Sequence, residues 1–265
     1  MISVIIPIFN EEENIAQLYN SIIAALTGID FEVLFINDGS TDNSEKEILK
    51  LTAIHPRIKL ISLRRNYGQT AAMQAGFDYS NGKIVIPMDG DLQNDPKDIP
   101  ILIEKINEGY DVVSGWRKIR SDKKITRILP SKIANMIISK ISGLHLHDYG
   151  CTLKAYKKEI LNDIKLYGEM HRFIPIYASW EGAKVTEIPV RHHPRKAGKT
   201  KYGLSRIPKV ILDLLVIRFF DKSLDRPIHL FGKFGLMMFF IAFILAILAI
   251  FIKLFMNISF ILTPL

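Results

Sequence analysis

A chain of 265 residues holds one large domain or two small ones, and its 48% apolar content is gathered toward one end. The formal charge of +8 would suit nucleic acid, but no aromatic-basic RNA motif or recognition-helix pattern accompanies it, so that class is excluded. The single cysteine, Cys151, excludes an intrachain disulfide and suits a reducing compartment.

Met1 runs straight into Ile2-Ser-Val-Ile-Ile-Pro-Ile8 without the basic region or cleavage site of a secretory signal. Strands are expected at Ile2–Ile8, Phe31–Asn37, Ile58–Leu63, Lys83–Met88 and Asp111–Gly115. Between them, Glu11–Leu26, Asn43–Ile54, Gln69–Tyr79 and Pro96–Gly109 space apolar residues three and four apart, as helices do. Leu49 and Ala53 share one face of the second helix, with Asp42 and Ser44 as capping candidates. Strands alternating with helices predict an α/β domain whose mostly parallel sheet is covered on both faces. The strand runs are nearly all apolar, which burial on both sides requires.

After Arg117 a basic stretch, Lys118 to Arg127, leads into a predicted helix from Ser131 to Ile141. A short helix at Lys157–Ile164, another at His171–Glu181 and a strand at Lys184–Val190 come next, then a Gly/Lys-rich loop from Pro194 to Gly203. Ile207, Val210, Ile211, Leu214 and Leu215 form an apolar stripe opposed by Lys209, Asp213 and Arg218. That pattern fits an amphipathic helix in a membrane interface, or equally a helix packed on its own domain. The run from Phe234 to Ile252, bounded by Lys233 and Lys253, just spans a bilayer at about 1.5 Å per residue. Cations crowd the approach to it, so the large N-terminal part is expected on the cytoplasmic face and attracted to anionic lipid. The expected segments are a large N-terminal domain, 1–203, an interface-helix region, 204–228, and a membrane-spanning segment, 229–265. The residues after Lys253 are too few to cross alone, which leaves open a truncated hairpin or pairing with other copies as a homo-oligomer.

Chemistry concentrates at strand ends. Asp89-Gly-Asp91-Leu-Gln93-Asn-Asp95-Pro96 directly follows a strand, and paired hard carboxylates there suit Mg²⁺ or Mn²⁺ with positions open for substrate phosphates. Ligands of open α/β sheets sit at those ends, although Asp and Gly after a strand also make plain turns. Neither Gly-x-Gly-x-x-Gly nor a Gly-x-x-x-x-Gly-Lys loop is present, which disfavours dinucleotide dehydrogenases and nucleoside triphosphatases. Pro7 to Asn14 and Asn37-Asp38-Gly39-Ser40-Thr41-Asp42 end two further strands. Their carboxylates, amides and hydroxyls suit the base and ribose of a nucleotide, or else cap helices. His145, His147, His192 and His193 match no common zinc spacing, and His171 stands apart.

These segments, with Arg64-Arg65-Asn66-Tyr67-Gly68 and Gly115-Trp-Arg117, resemble the family-2 glycosyltransferases over nearly the whole chain. Asp-Gly-Asp with Leu-Gln-x-x-Pro and a terminal membrane segment is most similar to the polyprenyl-phosphate branch. That branch includes dolichyl-phosphate mannose synthases and bacterial undecaprenyl-phosphate glucosyltransferases. The resemblance implies a glycosyltransferase-A fold and inverting transfer of a hexose, from a donor of the UDP-glucose or GDP-mannose type, to a polyprenyl phosphate. It places Pro7, Asn10, Glu12 and Asp38 on the nucleoside, and Asp89 near the ribose or metal. Asp91 and Gln93 would ligate Mg²⁺ or Mn²⁺. Arg117, Arg127 and Ser131 would meet the acceptor phosphate or donor diphosphate, and Asp148 would serve as base or acceptor-orienting group. Arg195-Lys-Ala-Gly-Lys-Thr200-Lys201-Tyr resembles the family's Arg-x-x-Gly-x-Ser-Lys-Tyr, with Thr200 in place of Ser, and assigns Arg195 and Lys201 to phosphate. Two other functions stay open: transfer to a saccharide or lipid-headgroup hydroxyl, and a catalytically silent nucleotide-binding scaffold. The Gln-x-x-Arg-Trp motif of processive synthases is absent.

Overall fold

Nearly all-apolar runs place the first two strands inside a sheet rather than at its edge. β1 (Ile2–Ile8) and β2 (Phe31–Asn37) are buried along almost their whole length. The computed structural model describes residues 1–118, 129–162, 164, 166, 168–194 and 227–256. Among them, α1 (Ile15–Ala25), α2 (Ser44–Ile54) and α3 (Gln69–Tyr79) link β1, β2, β3 (Ile58–Ser62) and β4 (Ile84–Pro87) in turn. After β4 come α4 (Ile99–Asn107), β5 (Val112–Trp116), α5 (Leu129–Ser142), β6 (Lys154–Lys157), α6 (Lys158–Asn162), α7 (Ile174–Trp180) and β7 (Val185–Pro189). The seven strands form one sheet in the order β3-β2-β1-β4-β6-β5-β7.

β1 pairs in parallel with β2 on one side, Ile8 opposite Asn37, and with β4 on the other, Ile5 opposite Pro87. The carboxyl ends of β1, β2 and β4 therefore share one edge. β6 alone runs against its neighbours, antiparallel to both β4 and β5. Since β5 then points the same way as β4, the chain entering β6 arrives at the edge where β4 and β5 finish. Side chains alternate across the sheet with period two. Val4, Ile6, Ile8 and Phe35 join Ile15, Leu18, Ile22, Ile99 and Leu102 of α1 and α4 in one buried cluster. Ile5, on the opposite face, lies against α3.

Several expectations move. α1 starts at Ile15 rather than Glu11, because residues 10–12 are tied instead to the segment after β2. On α2 the buried face carries Ser44 and Ile48, while Leu49 is 51% exposed, so the Leu49–Ala53 face is the outer one. The helix expected over His171–Glu181 divides into a 3₁₀ turn, Met170–Arg172, and α7. Pro175 lacks the N–H that a continuous helix would use. β6 had no counterpart among the expected elements.

The residues from Leu215 onward form a second unit. Its described part is α8 (Pro227–Met256), in which Phe231–Phe255 is long and apolar enough to cross a membrane and has none of that stretch buried. The expected interfacial helix, within 204–228, lies outside the described residues except at its last two positions.

Candidate active site

The loops after β1 and β2 interlock. Asn10, with a positive φ of 53°, donates its N–H to Ser40 Oγ and accepts from the Thr41 N–H at 2.8 Å. Glu12 donates its N–H to Asp42 Oδ2 and accepts from the Asn43 N–H at 2.7 Å. Each loop thus satisfies backbone groups of the other, which fixes both without help from a helix or strand. Asp42 serves both roles, since its Oδ2 takes part in this lock while its Oδ1 accepts the Ser44 N–H at the start of α2, as expected of a cap.

Asp38 closes the next link. Its two oxygens accept the N–H groups of Tyr67 at 2.7 Å and Gly68 at 2.9 Å. Burial still raises the Asp38 carboxyl above its ordinary range against those bonds. Gly39 has φ +68°, and a Cβ there would sit 2.4 Å from the Arg65 carbonyl carbon, so only glycine allows the segment before α3 to lie this close.

The carboxylate pair comes directly after β4. A Cβ on Gly90 would lie 2.6 Å from Ile8 Cδ1 and 3.3 Å from the Pro7 carbonyl oxygen, so this turn rests directly on the end of β1. Asp89 accepts from Gln69 Nε2 at 2.8 Å and from the Thr152 hydroxyl. Its N–H donates to Asn94 Oδ1. Burial, and then the charge of Asp91, push Asp89 up to about 6. Asp91 is buried and accepts the Gln93 N–H, while Leu92 between them takes a positive φ of 62°. Gln93 Nε2 donates to the His193 carbonyl at 3.3 Å, so Oε1 is the end with which it could ligate.

Among the described residues no group of three or more His, Cys, Asp and Glu forms a cation cage. The candidate donors are two carboxylates and one amide oxygen, a hard set. The mutual repulsion seen at Asp89 is what a divalent cation would relieve, so these residues fit Mg²⁺ or Mn²⁺.

Beyond β5, Arg117 Nε donates to Asp148 Oδ2 at 2.7 Å and Nη2 to Oδ1 at 3.0 Å, a bidentate pair. Burial opposes the guanidinium charge, but Asp148 outweighs it and holds Arg117 firmly protonated. Asp148 also accepts the Gly150 N–H, the turn-capping role open to it from sequence.

Pro7, Asn10, Glu12, Asp38, Asp89, Asp91, Gln93, Arg117 and Asp148 thus come from one edge of the sheet. Arg127, Arg195 and Lys201 lie outside the described residues, and Ser131 sits on α5 with its side chain outside them. Gln69, Thr152, Lys154 and Arg172 join the site unannounced. Thr152 and Lys154 stand within the run Tyr149-Gly-Cys-Thr-Leu-Lys154, and the charge of Arg172 acts on Asp89. Only their tertiary placement marks them.

Comparison with known proteins bears on the family and the fold. The description of glycosyl transferase family 2 matches residues 3–165. The chain is 44% identical over 241 residues to the dodecaprenyl-phosphate galacturonate synthase of Rhizobium johnstonii, covering 89% of this chain and 71% of that one. It is 36% identical over 257 residues to the undecaprenyl-phosphate 4-deoxy-4-formamido-L-arabinose transferase of Edwardsiella ictaluri, covering 96% and 77%. Among solved structures, glucosyl-3-phosphoglycerate synthase from Mycobacterium tuberculosis, in complex with Mn²⁺, UDP and glucosyl-3-phosphoglycerate, superimposes with a TM-score of 0.63. At 18% identity, over 82% of this chain and 79% of that one, the likeness is one of fold.

Proposed function

The chain belongs to glycosyl transferase family 2, and from that premise we propose that it moves a sugar from a nucleotide sugar onto a membrane polyprenyl phosphate, with inversion. One observation carries the choice of acceptor: both Asp148 oxygens are engaged by the Arg117 guanidinium, on the edge that bears Asp89 and Asp91. A sugar hydroxyl becomes a good nucleophile only with a general base, and Asp148, the residue the resemblance offers for that task, is committed. A phosphate monoester is already anionic at neutral pH and needs alignment more than deprotonation. Relatives named for dodecaprenyl and undecaprenyl phosphate support the same acceptor.

In this reading Pro7, Asn10, Glu12 and Asp38 line the nucleoside end of the cleft, and their interlocked loops keep it formed before the donor arrives. Asp91 and Gln93, with Asp89 beside them, would hold Mg²⁺ or Mn²⁺, which would neutralise charge on the leaving diphosphate. Arg117, oriented by Asp148, directs its remaining N–H donors to phosphate oxygen. Arg127, Ser131, Arg195 and Lys201 are assigned to the same task. An acceptor oxygen attacks the anomeric carbon, the bond from that carbon to the diphosphate oxygen breaks, and the nucleoside diphosphate leaves with the electron pair. Phe231–Phe255 anchors the chain in the membrane, and the basic approach to it puts the catalytic residues on the cytoplasmic side. The donor is of the UDP- or GDP-sugar type. The relatives' names widen its sugar from glucose and mannose to uronic and amino sugars.

The test incubates membranes holding the chain with Mg²⁺, polyprenyl phosphate and a panel of radiolabelled nucleotide sugars. Label is expected in a chloroform-soluble product that disappears with Asp91→Ala. Label only in water-soluble glycan would favour the saccharide-extending alternative, and none anywhere would favour the scaffold.

A further inference from the structure

Because β6 runs against β4 and β5, its first residue, Lys154, stands at the edge where Asp89 and Arg117 emerge. The residue is 2% exposed. Its Nζ donates to the carbonyl of Tyr149 at 3.3 Å and to the carbonyl of Cys151. Both acceptors are main-chain oxygens of one turn rather than a carboxylate. On one side of that turn Asp148 grips Arg117, and on the other the Thr152 hydroxyl reaches Asp89. Burying an ammonium is costly, and an apolar side chain would fill the space more stably if packing were its only task. We propose that Lys154 is a positioning residue of the transferase site: as an ammonium it locks the Tyr149–Cys151 turn, and so sets both the Arg117–Asp148 pair and the Thr152 contact to Asp89. The inference rests on the transferase reading above.

The charged form matters because a charge-assisted N–H···O bond is about twice as strong as a neutral one. Burial is the chief force against that form. Cys151 and Asp148 facing it favour the ammonium, Arg117 and Arg172 oppose it, and the balance draws Lys154 down to about 8. As pH rises through that value the lock weakens and the two contacts loosen together.

The test measures transfer, and UDP and GDP binding with Mn²⁺, for the purified full chain between about pH 6.5 and 9.5. Wild type, Lys154→Arg, Lys154→Met and Thr152→Ala are compared, with thermal midpoints to confirm folding. In wild type kcat is expected to fall above about pH 8, while Lys154→Arg keeps its rate there because a guanidinium stays protonated. Lys154→Met should lose about tenfold to hundredfold in kcat at every pH, the scale of a small misplacement. Thr152→Ala should lower kcat yet keep the wild-type alkaline limb, which keeps the test decisive if the arginine variant does not fold. An alkaline limb identical in wild type and Lys154→Arg, or a wild-type rate in Lys154→Met, overturns the proposal. If wild type binds nucleotide but does not transfer, the acceptor reading alone fails. Lys154 is then read from nucleotide affinity, expected to weaken above about pH 8 in wild type and not in Lys154→Arg. A chain that neither transfers nor binds nucleotide overturns both.

Discussion

Both oxygens of the Asp148 carboxylate hold the Arg117 guanidinium. Arg117 and Asp148 expose only 17% and 3% of their side chains, and removing one partner of such a pair costs about 3 kcal/mol. Asp148→Asn should therefore lower the thermal midpoint and cut transfer, and an unchanged midpoint would contradict the pairing. Arg117→Ala should cost about a hundredfold in kcat, the usual loss for one preorganised donor. Asp89 gives a pH-dependent test. Its carboxyl titrates at about 6 in the fold against an ordinary 3.8, so the native state binds that proton more tightly than the unfolded chain. Its contribution to stability is present below about pH 3.8 and lost as pH rises through 6. A cation on the ionised pair restores it, so Mn²⁺ should raise the thermal midpoint more at about pH 7.5 than at pH 5, where the proton competes. Equal shifts at both would count against the site. Asp89, Asp91, Gln93 and Arg117 were legible because their strand-end spacing is local. Gln69, Thr152 and Lys154 were not, because each reaches Asp89 or its supporting turn only once the sheet has formed.

Elements were readable where a period could be counted. β1 and β2 emerge with their expected bounds because nearly all-apolar runs need burial on both faces. β6 escaped notice because Lys154-Ala-Tyr-Lys157 has charge at both ends and offers four residues, too few to show alternation. On α2 both Ile48 and Leu49 are apolar, so the pattern allows either face, and packing on the sheet chose Ile48. The junction between β2 and the segment before α3 carries its own test. Gly39→Ala would force a Cβ into the Arg65 backbone at a positive φ, which should destabilise the fold by about 1–3 kcal/mol. It should also weaken UDP or GDP binding, since Asp38 would no longer reach the Tyr67 and Gly68 N–H groups. Unaltered nucleotide affinity in that variant would separate Asp38 from the nucleoside site.

At the scale of the whole molecule, a sheet edge gathers the candidate chemistry, and α8 carries a stretch long and apolar enough to cross a membrane. The glycosyltransferase resemblance was legible along the chain because most of its motifs sit at strand ends, which one mostly parallel sheet brings together. The choice of sugar was not, since pocket contacts made across the fold decide it. Phe231–Phe255 is long and apolar enough to cross a membrane, so the protein should stay in the membrane pellet through alkaline carbonate washing, whereas release by that wash would contradict a spanning role for this helix. The acceptor is tested most directly by offering the purified chain one labelled donor with either a polyprenyl phosphate or the polyprenol of equal length. Label should enter only the phosphate-bearing lipid, because alignment of an anionic oxygen replaces a base. Comparable transfer to the alcohol, or to a saccharide in place of both lipids, would contradict that mechanism.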